Sequence, residues 1–361
     1  MSIRPVRYPG AKVRRGQPVA RWQDAVLAAI ALVAASSLAV GGYALWSQRH
    51  RTVGYVSFEG EALRRYPYTS RYLVLLADDR HFDPETIGEI LAILDRAYAY
   101  YLQITGSAPR PSPDNGPDNG PDNGNLELLP IATVTETCGA GCGRLGSNGI
   151  EIQPQYLDEL YLVYKQSGAL HHLIFYEFGR NFWNAAIDRK LDYREPGKQH
   201  KVVAEGFALF MQFEAMRATE TVPAPFRGLP FERYRAEIDR YLDIYLSDPN
   251  LTWENTLRVY DFPPIEDCRA RQLCLSPGNL LAAMWLNLRD RYGEDFTQRF
   301  FWEVQRLPEA QTTQDAVDNF VMAASAGADR DLSALFVETW RWPLSPDARQ
   351  LLGRRYADPP R

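Results

Sequence analysis

The sequence predicts an α+β domain carried behind one N-terminal transmembrane helix, and three observations predict it. The run from Ala25 to Trp46 (AVLAAIALVAASSLAVGGYALW) carries no charge. As a helix rising about 1.5 Å per residue it spans about 33 Å, enough to cross a hydrocarbon core of about 30 Å. The short apolar strand candidates, Tyr72 to Ala77, Leu129 to Val134 and Gly149 to Ile152, all come before Pro154, and from Pro154 to Leu352 the pattern is mainly helical. Strands first and helices afterwards is an α+β order.

Arg21 and Asp24 stop the apolar run abruptly on one side, and Gln48-Arg49-His50-Arg51 on the other, which marks a spanning helix rather than a buried core helix. A cleaved signal peptide has a shorter apolar stretch. Arg4, Arg7, Lys12, Arg14, Arg15 and Arg21 precede the run, against Arg49 and Arg51 after it, so the positive-inside rule puts the N-terminus in the cytoplasm. The expected organisation is a basic cytoplasmic segment 1–24, a transmembrane helix 25–46, a juxtamembrane linker 47–70, an extracytoplasmic domain 71–352 and a tail 353–361. The whole is a single-pass membrane protein. Over all 361 residues the net charge is -5 and 45% of residues are hydrophobic, with no stripe of Lys and Arg beyond the N-terminus. That is a globular composition, and it excludes a nucleic-acid partner.

Within the domain, Tyr72 to Ala77 (YLVLLA) is long enough for one buried strand. Asp83-Pro84-Glu85 then starts a helix, with Asp83 as N-cap and Pro84 in the first turn. Ile87, Ile90, Leu91, Leu94, Ala97, Tyr98, Tyr101 and Leu102 recur at helical spacing and mark its buried face, and the helix ends near Gly106. Pro-Asp-Asn-Gly repeats between 113 and 124, so 107–125 is a low-complexity loop. Its Asp and Asn spacing lacks the closing Glu of a calcium loop. Leu129 to Val134 and Gly149 to Ile152 are strand candidates separated by the glycine-rich CGAGCGRLGSNG, which has the composition of a sheet edge with a tight turn. Breaks in the helical part fall near Pro196-Gly197, Pro223 to Pro230, Pro263-Pro264 and Pro277-Gly278.

Cys138 and Cys142 in CGAGC, and Cys268 and Cys274 in CRARQLC, are close enough to form two local disulfides in an oxidising compartment, although four cysteines allow three pairings. Neither pair has the spacing of the commonest structural zinc sites.

In a helix expected to begin near Ser167, Tyr176-Glu177-Phe178-Gly179-Arg180 resembles the H-E-x-x-H motif of the zincin metallopeptidases. Farther on, Ala204-Glu205-Gly206-Phe207-Ala208 resembles the segment that carries the third metal ligand in the gluzincin branch. Twenty-four residues lie between Arg180 and Glu205. The resemblance covers roughly residues 70 to 350 and takes in the C-terminal stretches Asp315 to Phe320, Asp331 to Phe336 and Trp340 to Ser345. It implies a zincin-like two-lobed domain, a small sheet with helices followed by a helical lobe.

The departure from the motif decides the chemistry. H-E-x-x-H places two imidazoles on one helix face, with the Glu at i+1 as base. Here Tyr176 and Arg180 hold the two ligand positions. A guanidinium has five donors and no acceptor, so Arg180 binds no cation, and Tyr176 would have to ionise from about 10. Glu177 keeps the base position, as a vestige, and Glu205 keeps the third-ligand position. The expectation is therefore no metal and no cofactor. Arg180 is expected to fill the zinc's space and to hold Glu205 through two hydrogen bonds, with Glu177 or the Tyr176 hydroxyl nearby. Two compatible readings remain for Tyr176, Glu177, Arg180 and Glu205: an internal polar network, and a surviving substrate cleft. The aromatic stripe Phe175, Phe178, Phe182 and Trp183 has the spacing of core packing.

The resulting expectation is a membrane-anchored, catalytically inactive metallopeptidase-like ectodomain acting as a binding or structural module, with a peptide or envelope polymer as the cleft's partner. The alternative is an active metallopeptidase or hydrolase. It would use either a shifted metal site on His172, His200 and Glu205, with His171 adjacent, or Glu177 without a metal.

Overall fold

The computed structural model describes residues 52–79, 81–110, 128–194, 202–226, 228–259 and 275–357. The chain divides into two units, Met1–Arg51 and Thr52–Arg361. The first unit, and with it the expected span 25–46, lies outside the described residues. No helix among the described residues is long and apolar enough to cross a membrane.

The second unit begins with β1 (Val53–Val56), β2 (Ala62–Thr69), β3 (Leu73–Ala77), α1 (Pro84–Thr105), β4 (Leu129–Thr133), β5 (Gly141–Gly143) and β6 (Ile150–Ile152). Helices follow: α2 (Pro154–Ser167), α3 (Leu173–Phe182), α4 (Ala185–Leu191), α5 (Val202–Ala218), α6 (Phe231–Ser247), α7 (Pro277–Tyr292), α8 (Asp295–Arg306) and α9 (Thr313–Ala328). A π-helical turn, Leu335–Thr339, and α10 (Pro346–Arg355) complete the mixed α+β arrangement. The strands form one sheet in the order β1-β2-β3-β4-β6-β5. Its centre, β3-β4-β6, is parallel, while β2 and β5 run antiparallel to their neighbours β3 and β6. The parallel strands β3, β4 and β6 are buried throughout because both their faces are covered, and all their residues are apolar except Thr133 and Glu151.

The sheet starts inside the stretch 47–70 that the sequence marks as linker. β1 and β2 form an antiparallel hairpin closed at Gly60, which has φ 84°. No apolar run announces it, because β2 is nowhere fully buried and carries Arg64 and Arg65. The hairpin is tied down by a buried carboxylate on β6: the Tyr55 hydroxyl and the Phe58 amide both donate to Glu151 Oε1, at 2.9 and 2.7 Å.

Helix α1 has the expected limits. The Asp83 carboxylate accepts from the Thr86 amide, and Gly106 closes the helix at φ 73°. Its buried face carries Tyr101, whose hydroxyl donates to the Phe175 carbonyl of α3 at 2.6 Å. The helix bearing the five-residue motif begins later than expected. Gly168, at φ 70°, caps α2, so Ser167 ends one helix and Leu173 begins the next. A left-handed residue satisfies the last carbonyls of a helix and stops it.

One contiguous core runs from Leu73 to Leu352, and a smaller one, Tyr55, Val74, Leu76, Ala132 and Val134, lies on the other sheet face. Phe175, Phe178, Phe182 and Trp183 all belong to the main core, each at most 1% exposed. Cys138 and Cys142 form the expected disulfide, with Cα atoms 5.5 Å apart. Cys268 and Cys274 lie outside the described residues, as does most of the 107–125 loop.

Candidate functional site

Two helices and one edge strand assemble the site. Helix α5 is buried all round from Val202 to Met216 except at Glu205, so it passes through the middle of the domain. It crosses α3 at Gly179, where a Cβ would stand 2.5 Å from the Ala208 Cα. This glycine lets the two backbones meet and brings Glu205 to the motif helix. On the other side, β5 lies against α3 at Gly143, where a Cβ would fall 2.7 Å from the Glu177 carbonyl oxygen and 2.9 Å from Glu177 Oε2.

Glu177 is 3% exposed. Its Oε2 accepts the Gly143 amide at 2.6 Å and lies 3.5 Å from Arg180 Nε. Burial pushes this carboxyl from an ordinary 4.5 up to about 7, against the Arg180 charge and the Gly143 hydrogen bond, which pull it down. Arg180 Nε donates to the Gly143 carbonyl at 3.1 Å, so the motif's Glu and Arg hold the amide and the carbonyl of the same residue. Burial drives the Tyr176 pKa well above the usual phenol range. The negative charges of Glu205 and Glu177 add to the shift, and Arg180 opposes it.

Glu205 has a different partner from the expected one. The Ser276 hydroxyl donates to Glu205 Oε1 at 3.0 Å, and the carboxylate packs on Gly278, where a Cβ would stand 2.7 Å from the Glu205 Cγ. Ser276 caps α7, Pro277 opens it, and the Asn279 side chain accepts from the Ser276 amide. Burial raises the Glu205 pKa, while Ser276 and the nearby charge of Arg180 lower it. The expected two-point contact between Arg180 and Glu205 is thus corrected. The edge strand and Glu177 engage Arg180 Nε, and Glu205 rests on a helix N-terminus, which itself favours negative charge.

Tyr176, Glu177, Arg180 and Glu205 therefore do come together, as one electrostatically coupled group. They do not suit zinc. The two positions that the resemblance assigns to metal ligands carry a guanidinium without a lone pair and a phenol whose ionisation the site opposes. The shifted constellation is not assembled by the described residues either. His172 packs its ring among Phe226, Tyr234 and Phe231, with centroids 4.5, 5.6 and 5.9 Å away. His171 lies 3.5 Å from Glu159, and His200 is outside the described residues. No group of three His, Cys, Asp or Glu placed to hold a metal ion occurs among the described residues.

Three contributors escape a reading by motif: Gly143, Ser276 and Asn181. The last is fully buried, and its amide nitrogen lies 2.9, 2.8 and 2.9 Å from the carbonyls of Arg144, Ser147 and Gly149, holding the turn between β5 and β6. Ser276-Pro277 is a legible helix start. Nothing in the sequence links it to Glu205.

No family model matches the chain, and no curated protein matches it. Solved structures do. A functionally unknown conserved protein from Bacillus anthracis str. Ames is similar at TM-score 0.51 and 12% identity, over 81% of this chain and 51% of that one. The M60 catalytic domain of Clostridium perfringens ZmpC, in complex with the sialyl T antigen, is similar at TM-score 0.47 and 14% identity, over 82% and 50%. The ZmpB metallopeptidase of Clostridium perfringens gives 0.46 and 15%, over 82% and 49%. This chain spans about half the length of each. The last two similarities are too distant to carry an argument, and the first speaks for the fold alone.

Proposed function

We propose that this chain is a membrane-anchored, zincin-like ectodomain that does no zinc chemistry and acts as a binding or structural module. What supports the zincin-like, two-lobed reading is the order of parts: a mixed sheet with an antiparallel edge strand, a motif helix beneath it, and a second helix that delivers a glutamate to the motif. One observation carries the non-catalytic reading. At the second ligand position stands Arg180, within 3.5 Å of Glu177, where a permanent cation replaces an imidazole.

The test is metal content together with activity. Full-length protein from its native membrane is expected to hold far less than one zinc per chain and to leave a fluorogenic peptide library intact. Tyr176→His combined with Arg180→His is expected to create zinc affinity, because Glu177 and Glu205 already converge on the site. Stoichiometric zinc in the wild type, lost in Glu205→Ala, would overturn the proposal.

A second reading has one observation in its favour. A carboxyl with a pKa of about 7 is poised as a general base near neutral pH. Peptide cleavage that survives chelation and disappears in Glu177→Gln would establish it.

A further inference from the structure

The pairing of β5 with β6 determines which of its backbone groups face outward. Arg144 donates its amide to the Gly149 carbonyl at 3.1 Å, and Gln153 donates to the Ala140 carbonyl at 3.4 Å. With Cys142 opposite Glu151, residues 140, 142 and 144 are the ones turned toward β6. In an antiparallel ladder alternate residues turn their N–H and C=O the other way. Gly141 and Gly143 therefore turn theirs away from β6, and both residues are buried. Among the described residues β5 is the last strand on this side, and outward backbone groups of such a strand are a template for another extended chain wherever they are left unpaired.

At Gly143 the template is already taken. Its amide donates to Glu177 Oε2 at 2.6 Å and its carbonyl accepts from Arg180 Nε at 3.1 Å. An added strand offers that same complement, one acceptor and one donor, to a residue facing it. Glu177 and Arg180, three residues apart on α3, reproduce it with side chains. The absence of a side chain at Gly143 lets the helix come this close.

We propose that Glu177 and Arg180 act as a built-in substitute for a docking strand, keeping the edge of β5 closed to extended peptides. A peptide enters this register only when the pair is withdrawn. This deepens the proposed binding role and rests on it only in taking the cleft as a peptide site. The closure itself follows from the geometry of β5 and α3 whatever the metal content.

The experiment uses the full-length protein and two measurements, amide exchange at Gly143 and anisotropy of a short fluorescein-labelled peptide of alternating Thr and Val. In the wild type, Gly143 is expected to exchange slowly and the peptide not to bind saturably. In Glu177→Ala with Arg180→Ala, exchange at Gly143 is expected to accelerate by about tenfold or more, the scale of one lost hydrogen bond. The peptide then binds saturably and restores the protection. Should the double variant fail to fold, Arg180→Ala alone frees the carbonyl by removing a side chain only 24% exposed. Wild-type binding as tight as the variant's, or no saturable binding to any variant that folds, overturns the proposal. Zinc content measured on the same samples separates that failure from a failure of the non-catalytic reading.

Discussion

At Glu177 two effects oppose one another. Burial disfavours the carboxylate, whereas the Gly143 amide and the Arg180 guanidinium favour it, and burial prevails, leaving a pKa of about 7. A carboxyl whose folded pKa lies above its unfolded value stabilises the fold in its neutral form. That contribution is complete below about 4.5 and is lost as pH rises through about 7, on the order of 3 kcal/mol in all. Raising the pH from about 5 to about 8 is therefore expected to lower the urea midpoint of the wild type more than that of Glu177→Gln, which cannot titrate. Asp192, also raised to about 7 by burial and by the adjacent Asp188, leaves a residual slope of the same sign in the variant. Equal slopes in the two proteins would refute this account of Glu177. Gly143→Ala is expected to cost about 1–3 kcal/mol in chemical denaturation, because its Cβ would meet backbone rather than a yielding side-chain end. The resemblance singled out Tyr176, Glu177, Arg180 and Glu205. Their partners were not legible, because Ser276 is far along the chain from Glu205 and hydrogen bonds leave no periodicity.

At the scale of elements, the site depends on two close approaches and one turn. The crossing of α3 and α5 requires Gly179, so Gly179→Ala is expected to destabilise by about 1–3 kcal/mol, read as a lower urea midpoint. A conserved midpoint would mean that the helices yield there. Asn181→Ala removes the donor shared by three carbonyls of the 144–149 turn, and about 1–3 kcal/mol is again expected. Amide exchange in β5 and β6 should rise before the global transition, and unchanged exchange there would detach Asn181 from the turn. Elements with a strong local signal were legible: α1, from its proline, its cap and its period, and β3 and β4, from their apolar runs. Helix α5 has almost no amphipathic pattern because it is buried all round, so only its length and its glutamate hint at its place. The hairpin β1–β2 was missed because its strands, at the rim of the sheet, are only partly buried, so they tolerate charge and lack an apolar run.

For the molecule as a whole, the topology remains a prediction from charge and length. A reporter fused after Arg361 is expected to be active only outside the cytoplasm, and cytoplasmic activity would overturn the orientation. The order of strands then helices, the α+β class and the site for a local Cys138–Cys142 disulfide are properties of neighbouring residues, and the sequence by itself determined them. The spanning segment is likewise read from neighbouring residues, by length and absence of charge, but it lies outside the described residues and stays an expectation. Tertiary structure alone decided that β5 meets α3 at Gly143, that Arg180 caps the strand instead of clasping Glu205, and that Glu205 rests on the start of α7. Each joins residues remote in the chain through close packing. Local pattern records which face of an element is apolar, but not what lies across from it.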